Sequence, residues 1–561
     1  MPSVADAIAR TLRAYGTEYF FCLTGGDHAL WIALDAAGIE VVLCRSEHAA
    51  AYAADGYARA SGRPGFVYGQ YGPGVANVVS GLADAYWAMS PVVSLTTSMR
   101  TTSLGRYEYQ DLDQLPLHTS VTAWSKAAIR PDQAVPFLRS AIRVATSTPS
   151  KPVHLEIPSD VLRSELETPD VYAEEAFGRV PALRAAPSPG APWRIAEALA
   201  RARRPVVLAG NGVVLAEAWD ELVDLAELVR LPVATSMGGK GAIDENHPLS
   251  IGLVGRYSRK VANEVMGEAD LVLVVGSRLG GMVTDTWRCP PPGTRIVHVD
   301  ADPTVLGTTY REEISVVGDA KLTLEFLANE IRSRPSFPRF DDWADAVARR
   351  VERWRARVVE SAATSRPGAI HPAAVIRALR EALDPTDVLV VDTGYMGAWT
   401  GALFDVTAPG RHFLRAAGSL GWSLPASLGA ALANPGGRVA CVIGDGGVGY
   451  HLVELETALR CGIDVTVVVL NNRMLAFEYH GQKLQWDDQV VPRVNDLLDV
   501  DYAEVARALG AEGLRVDDVA ELPGALHRAL TCGRAALVDV RIDKEALAPV
   551  TSFEDVLTRD V

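Results

Sequence analysis

With 561 residues, 48% of them apolar and 22% charged, the chain is too long for one hydrophobic core and implies about three globular domains. No apolar run approaches the ~20 residues a bilayer span needs, and a net charge of −15 sets a repulsive mean field against nucleic acid and anionic membrane. The six cysteines (Cys22, Cys44, Cys289, Cys441, Cys461 and Cys532) contain no C-x-x-C pair, so buried thiols in a reducing compartment are expected rather than a disulfide framework or a metal cluster.

The N-terminus, Met1 to Asp6, has no basic segment followed by an apolar stretch and runs straight into a helical pattern, so a cytoplasmic location is expected. From Tyr19 to Lys151, short apolar runs such as Val41-Val42-Leu43, Gly65-Phe66-Val67-Tyr68 and Pro91-Val92-Val93-Ser94-Leu95 alternate with Ala-rich helical stretches, the pattern of a parallel sheet flanked by helices. A Pro/Ala/Gly-rich stretch, 181–192, reads as a linker. A second block carries buried strands at 205–209, 271–275 and 295–299, each followed by Gly or Asp where doubly wound sheets bind ligands. A charged helix near 342–361 and the turn Ser365-Arg366-Pro367-Gly368 lead to a third block with strands at 388–391, 438–443, 465–470 and 535–540. The expected fold is α/β, three doubly wound parallel-sheet domains spanning 1–175, 190–340 and 365–550.

In the third block Gly444-Asp445-Gly446-Gly447 follows one strand and Asn471-Asn472 follows the next. Alone, a Gly-Asp-Gly is an ordinary strand-to-helix turn. Paired with Asn471-Asn472 it places hard oxygen donors on neighbouring strand ends, while the glycines let backbone N–H groups approach an anion at a helix start. Mg²⁺ wants about six oxygens and rarely takes them all from protein. The Asp445 carboxylate, the Asn472 side-chain carbonyl and the Met474 backbone carbonyl can supply three, leaving the rest to phosphate and water. The spacing and sequence resemble the signature of the thiamine-diphosphate (ThDP) enzymes, the family of pyruvate decarboxylase, acetohydroxyacid synthase, benzoylformate decarboxylase, benzaldehyde lyase and 2-hydroxyacyl-CoA lyase. The resemblance covers nearly the whole chain. It implies pyrimidine-binding, central and diphosphate-binding domains in that order, with Gly446 and Gly447 at the diphosphate.

The same resemblance calls for a glutamate after the second strand, and Arg45-Ser46-Glu47-His48-Ala49-Ala50 provides Glu47. Tyr52 to Arg59 and Gly72-Pro73-Gly74-Val75-Ala76-Asn77 complete a pyrimidine-binding pattern. Glu47 is then the group that protonates N1′ of the cofactor's aminopyrimidine, so that C2 of the thiazolium can lose its proton. By the same match, the Gly418 carbonyl in Ala417-Gly418-Ser419-Leu420-Gly421 accepts from the 4′-amine, Leu420 wedges the cofactor into a bent form, and Thr393 touches the diphosphate. Family members hold the cofactor between the first domain of one subunit and the third domain of another, which implies a homodimer or homotetramer with active sites at the subunit interface.

Substrate-side candidates follow from motif position. Glu478, six residues beyond Asn472 at the start of an apolar helical turn, is expected to be partly buried and to serve as an acid. Asp27 and His28 follow the first strand, Gln70 the third, and Gln110 lies where acetohydroxyacid synthases have Phe-Gln-Glu. The paired histidines of pyruvate decarboxylase are missing between Met99 and Asp113. The runs Met237-Gly238-Gly239-Lys240-Gly241-Ala242, Gly276-Ser277-Arg278 and Asp300-Ala301-Asp302-Pro303 are similar to those of acetohydroxyacid synthases, in which the central domain carries FAD; in oxalyl-CoA decarboxylase-like members it carries ADP. The Gln-Trp-Gln run after Asn472 is lacking. The expected activity is C–C cleavage or formation next to a carbonyl: a decarboxylase or lyase of a 2-oxo acid or 2-hydroxyacyl-CoA, with acetohydroxyacid synthase-type carboligation as the alternative. A non-catalytic ThDP or nucleotide sensor is a third class, disfavoured because Glu47 and the metal ligands are retained.

Overall fold

Near-continuous Val, Ile and Leu runs suit strands buried on both faces, which is what parallel sheets between helix layers require. The computed structural model describes residues 1–167, 169–362, 364–486 and 489–551. Its strands form three six-stranded sheets in which every paired strand is parallel. The first contains β1 (Tyr19–Cys22), β2 (Glu40–Leu43), β3 (Gly65–Gly69), β4 (Val92–Ser98), β5 (Trp124–Ala127) and β6 (Val153–Pro158), in the order β2-β1-β3-β4-β6-β5. The second contains β7 (Pro205–Ala209), β8 (Val233–Thr235), β9 (Ser250–Leu253), β10 (Leu271–Val275), β11 (Arg295–Asp300) and β12 (Ile314–Val317), in the order β12-β11-β10-β7-β8-β9. The third contains β13 (Val388–Val391), β14 (Phe413–Arg415), β15 (Val439–Gly444), β16 (Thr466–Asn471), β17 (Glu512–Val516) and β18 (Ala536–Arg541), in the order β14-β13-β15-β16-β18-β17.

Besides turning back at β5–β6 in the first sheet and β17–β18 in the third, the strand order reverses between β1 and β3, between β10 and β7, and between β13 and β15. Helices leave to opposite faces at a reversal and open a crevice beyond the strand ends. The candidate residues fall at these three places: Asp27 and Gln70 after β1 and β3, Gly210 and Gly276 after β7 and β10, Thr393 and Asp445 after β13 and β15. Gly444 pairs in register with Leu470, which sets the β15 and β16 ends side by side.

Six helices position the site: α1 (Glu47–Ser61), α2 (Pro73–Ala88), α3 (Ser423–Ala433), α4 (Asp445–His451), α5 (Glu454–Arg460) and α6 (Ala476–Gln485). Helix α1 is Ala-rich and buried along most of its length. Ser46 caps its N-terminus through Ala49 N–H, and Gly62 closes it at φ +70°. Helix α3 of the third domain crosses it with backbones almost touching. A Cβ on Gly429 would lie 1.9 Å from the Ala53 carbonyl oxygen, and one on Gly56 would lie 2.0 Å from that of Ala426. Replacing Gly429 by Ala gains helix propensity of up to about 1 kcal/mol yet forces the helices apart. The net expectation is a loss of roughly 1–3 kcal/mol, read as a lower melting temperature of the ligand-free protein; an unchanged or raised melting temperature contradicts the contact.

A second constraint lies inside the first domain. His118 and His154 are fully buried with parallel rings, centroids 3.5 Å apart. His154 bonds Thr96 Oγ1 at 2.7 Å and Ser125 Oγ at 2.8 Å, and His118 Nδ1 lies 2.9 Å from the Gln114 carbonyl. Burial pushes His118 down to about 4 and His154 well below the usual imidazole value. Because an unfolded histidine titrates near 6.5, the unfolded chain takes up protons that the fold refuses, so stability is full above about pH 6.5 and falls toward pH 4. His118 alone accounts for about 2 kcal/mol at pH 5. The melting temperature is expected to drop between pH 7.5 and 5, and His118→Asn to shrink that drop; an equal drop in the variant contradicts the assignment.

Candidate active site

The β16 end turns sharply through Asn472, Arg473 and Met474, with Arg473 in the left-handed region at φ +63°, a strained conformation for a side-chain-bearing residue. The turn sets Met474 N–H toward two oxygens at once, Asp445 Oδ2 at 3.2 Å and Asn472 Oδ1 at 3.3 Å. Asp445 also accepts from Gly446 N–H at 3.0 Å. Asp445, Asn472 and Met474 are all buried, and burial pushes the Asp445 carboxyl up to about 6. Among the described residues no basic side chain forms an ion pair with it. A desolvated carboxylate beside a convergent amide oxygen is the donor chemistry that a hard divalent cation satisfies, so the residues fit Mg²⁺. Of the asparagine pair only Asn472 joins this group; Asn471 Nδ2 donates to Asp539 Oδ1 at 2.9 Å and anchors the turn from behind.

Asp392, which the sequence shows only as the residue after β13, is the hub of this half. Its carboxylate accepts from Thr393 N–H at 2.7 Å, Gly421 N–H at 2.9 Å, and Ser423 N–H at 3.0 Å and Oγ at 2.7 Å. It thereby ties the half-buried Thr393 turn to the segment carrying Gly418 and Leu420. Gly418 is exposed, and Leu420 is half-buried, outside the domain cores. Gly447 packs within the same corner, where a Cβ would lie 3.5 Å from Asp392 Oδ1.

The first domain supplies the other half. Glu47 is buried at the head of α1, where the helix dipole favours its charge, and Glu47 Oε2 accepts from Asn77 Nδ2 at 3.1 Å. The turn Gly72-Pro73-Gly74 brings α2 against it: a Cβ on Gly74 would lie 2.7 Å from Glu47 Oε1 and 3.4 Å from Gln70 Cβ. The Gln70 side chain lies across Gly25, and the Gln110 backbone packs on Gly72. Gln110 itself is held at φ +64°. Asp27 is buried and accepts from Tyr68 Oη and from Thr97 Oγ1 at 2.6 Å. Glu47, Gln70 and Gln110 are therefore gathered around one glycine turn. Asn77 is a functional side chain the sequence reading passed over, although it stands in the quoted pyrimidine pattern.

Two candidates lie at the surface of the single chain. His28 is exposed. Glu478 is exposed as well, not partly buried, because the α6 phase turns Phe477 toward Tyr257 and Tyr395 and Ala476 into the core, leaving the next position outward.

The central domain opens on a cavity of about 410 Å³. Its walls include Asn211, Gly212, Gly276 and Arg278 at the β7 and β10 ends, and Arg415 from the third domain. A Cβ on Gly212 would meet Gly276 Cα at 2.6 Å, so only glycines fit the two facing turns.

Buried oxygens for a divalent cation, glycine turns at sheet reversals and a dipole-assisted buried glutamate define an enzyme that works through a phosphorylated cofactor. Three family models match consecutive stretches: "Thiamine pyrophosphate enzyme, N-terminal TPP binding domain" at residues 2–117, "central domain" at 193–327 and "C-terminal TPP binding domain" at 392–540. The "Probable acetolactate synthase large subunit" of Methanocaldococcus jannaschii is 32% identical across 97% of this chain and 93% of its own length. The "Acetolactate synthase isozyme 3 large subunit" of Escherichia coli is 30% identical across 97% and 95%. The "Sulfoacetaldehyde acetyltransferase" of Alcaligenes xylosoxydans xylosoxydans is 30% identical across 99% and 95%. The chain belongs to the thiamine pyrophosphate enzymes and is a ThDP-dependent enzyme resembling acetohydroxyacid synthase. Among the described residues no helix is long and apolar enough to cross a membrane.

Proposed function

We propose that this enzyme is a carboligase of the acetolactate synthase type, which cleaves the carboxylate from a 2-oxo acid and joins the remaining acyl unit to the carbonyl of a second 2-oxo acid. The observation that carries the reading is the pairing, in one chain, of buried Glu47 with the convergent oxygens of Asp445 and Asn472. The full-length likeness to acetolactate synthases supports ligation over simple cleavage. A lyase or decarboxylase remains the second reading, favoured by Glu478 standing six residues beyond Asn472 where the synthase-like Gln-Trp-Gln is lacking.

When bound, ThDP supplies a nucleophilic carbon and a sink for the electrons released as a bond beside a carbonyl breaks. Glu47 would share a proton with the pyrimidine N1′, its Oε2 being held by Asn77 Nδ2. Asp445, Asn472 and the Met474 carbonyl would hold Mg²⁺, with Gly446, Gly447 and Thr393 at the diphosphate. The Gly418 carbonyl would accept from the 4′-amine and Leu420 would pack against the cofactor. Asp27, Gln70 and Gln110 would flank the space left for substrate, with Asp27 held by two hydroxyl donors. Large apolar side chains stand exposed around both halves, among them Tyr107, Tyr109, Tyr450, Trp486 and Leu498. A second copy covering them would form a homodimer or homotetramer with shared sites. The central cavity, with facing glycine turns and Arg278 and Arg415 on its walls, suits a nucleotide such as FAD or ADP.

The test is a product assay on the Mg²⁺/ThDP-loaded protein with a panel of 2-oxo acids, singly and in pairs, and 2-hydroxyacyl-CoAs. CO₂ together with a 2-hydroxy-2-substituted 3-oxo acid is expected. CO₂ with free aldehyde, or aldehyde with formyl-CoA and no CO₂, overturns the ligase reading in favour of the second. Glu47→Gln is expected to lower turnover by at least about 10²-fold without lowering the melting temperature; surviving turnover removes Glu47 from its role.

A further inference from the structure

The segment that carries Gly418 and Leu420 belongs to the third domain, yet its backbone is fastened by the first. Asp84 on α2, with a side chain wholly buried, accepts from Ala417 N–H at 2.9 Å through Oδ1 and from Ser419 N–H at 3.0 Å through Oδ2. The two donors flank Gly418. The same Oδ1 takes Arg59 Nη2 at 2.9 Å. Arg59 in turn donates through Nη1 to the Arg415 carbonyl, and through Nε and Nη2 to Asp55 at 3.0 and 2.7 Å. Asp55 Oδ2 accepts from Trp422 Nε1 at 2.9 Å, and the Arg59 guanidinium lies 4.5 Å over the Trp422 ring. Four points between Arg415 and Trp422 are thus held by Asp55, Arg59 and Asp84.

Two buried carboxylates share the Arg59 guanidinium, and the buried Arg415 guanidinium acts on Asp84 as well. The N–H groups of Ala417, Ser419 and Trp422 supply further donors, and removing the segment would leave carboxylate oxygens buried with fewer of them. The lock matters most at Gly418. A Cβ there would meet nothing within 4 Å, so the peptide is open on that side, and the N–H groups flanking it are anchored to Asp84.

We propose that Asp84, with Arg59 and Asp55, is a positioning device that sets the Gly418 carbonyl and Leu420 for the cofactor from within the same chain. The inference rests on the proposed cofactor contacts of Gly418 and Leu420. Asp84 touches no reacting atom; it acts through the backbone on either side of Gly418. Its replacement should therefore change how the cofactor is held at its pyrimidine end while leaving the diphosphate anchor of Asp445 and Asn472 intact.

Asp84→Asn, which sets an amide against backbone donors, and Arg59→Lys, which keeps the charge but loses the fork, are the variants. The first readout is amide hydrogen exchange of the cofactor-free protein, resolved by peptide. Residues 415–422 should exchange faster by roughly tenfold, with β15 and β16 protected as before. The second is deuterium exchange at C2 of bound ThDP, which needs no substrate. It should slow by on the order of 10²-fold in Asp84→Asn and less in Arg59→Lys, with ThDP affinity within roughly threefold of wild type. Unaltered exchange at 415–422, or loosening spread evenly over the first and third domains, overturns the proposal. So does unaltered C2 exchange in a variant whose wild type exchanges readily. A wild type that does not exchange C2 at all tells instead against the proposed function, and the backbone readout then judges Asp84 alone.

Discussion

The close crossing of α1 and α3 is the constraint on which the remaining geometry depends. Two helices from domains more than 350 residues apart in sequence meet backbone to backbone because Gly56 and Gly429 remove the side chains that would separate them. Gly65 and Gly81 bring β3 and α2 equally close to α1, with Cβ positions 2.1 Å from the Ala54 carbonyl oxygen and 2.3 Å from Ala51 Cβ. A helix wedged on three sides cannot tilt, and Glu47 at its head inherits that rigidity. The loop ahead of it is fixed by the third domain as well: Arg45 N–H donates to the fully buried Glu454 of α5 at 2.9 Å.

Buried polar groups then fasten one domain to the next. Asp55, Arg59 and Asp84 join the first domain to the segment before α3. Between the second and third domains, Lys240 Nζ reaches Glu245 Oε2 at 2.6 Å and the Phe404 carbonyl at 2.9 Å, while Arg259 pairs with Glu245 and Asp405. Such charges are costly to desolvate unless every partner is in place, so they favour one arrangement of the three sheets over near alternatives. The central domain therefore does more than space the other two. Its strand-end cavity closes against Arg415, the residue whose carbonyl Arg59 holds.

The strands and the α/β class were legible because parallel strands buried on both faces leave long apolar runs that end in Gly or Asp. The Asp445 and Asn472 pair was legible for the same reason, since both lie immediately after such runs. Glu47 followed from the family resemblance rather than from periodicity. The roles of Asp84 and Arg59 were not legible, because the third-domain groups they hold lie more than 330 positions away. Asp392 was hidden by its plainness as a strand-end aspartate, although it collects four donors. Glu478 was misjudged because an apolar stretch before a helix does not fix the helical phase; Phe477 takes the inward position and turns the next residue out. The naming of Asn471 beside Asn472 as a pair also concealed a division of labour, one residue anchoring the turn and the other facing the site.

The central claim is that Glu47 and Asp445 serve one active site assembled from two copies of the chain. Mixing Glu47→Gln and Asp445→Ala variants, each inactive alone, tests it through dissociation and reassociation. A hybrid dimer would hold one site with both groups intact, so random mixing should restore about a quarter of wild-type turnover. A mixture as inactive as its parents, with exchange of subunits verified by mass, would contradict the account.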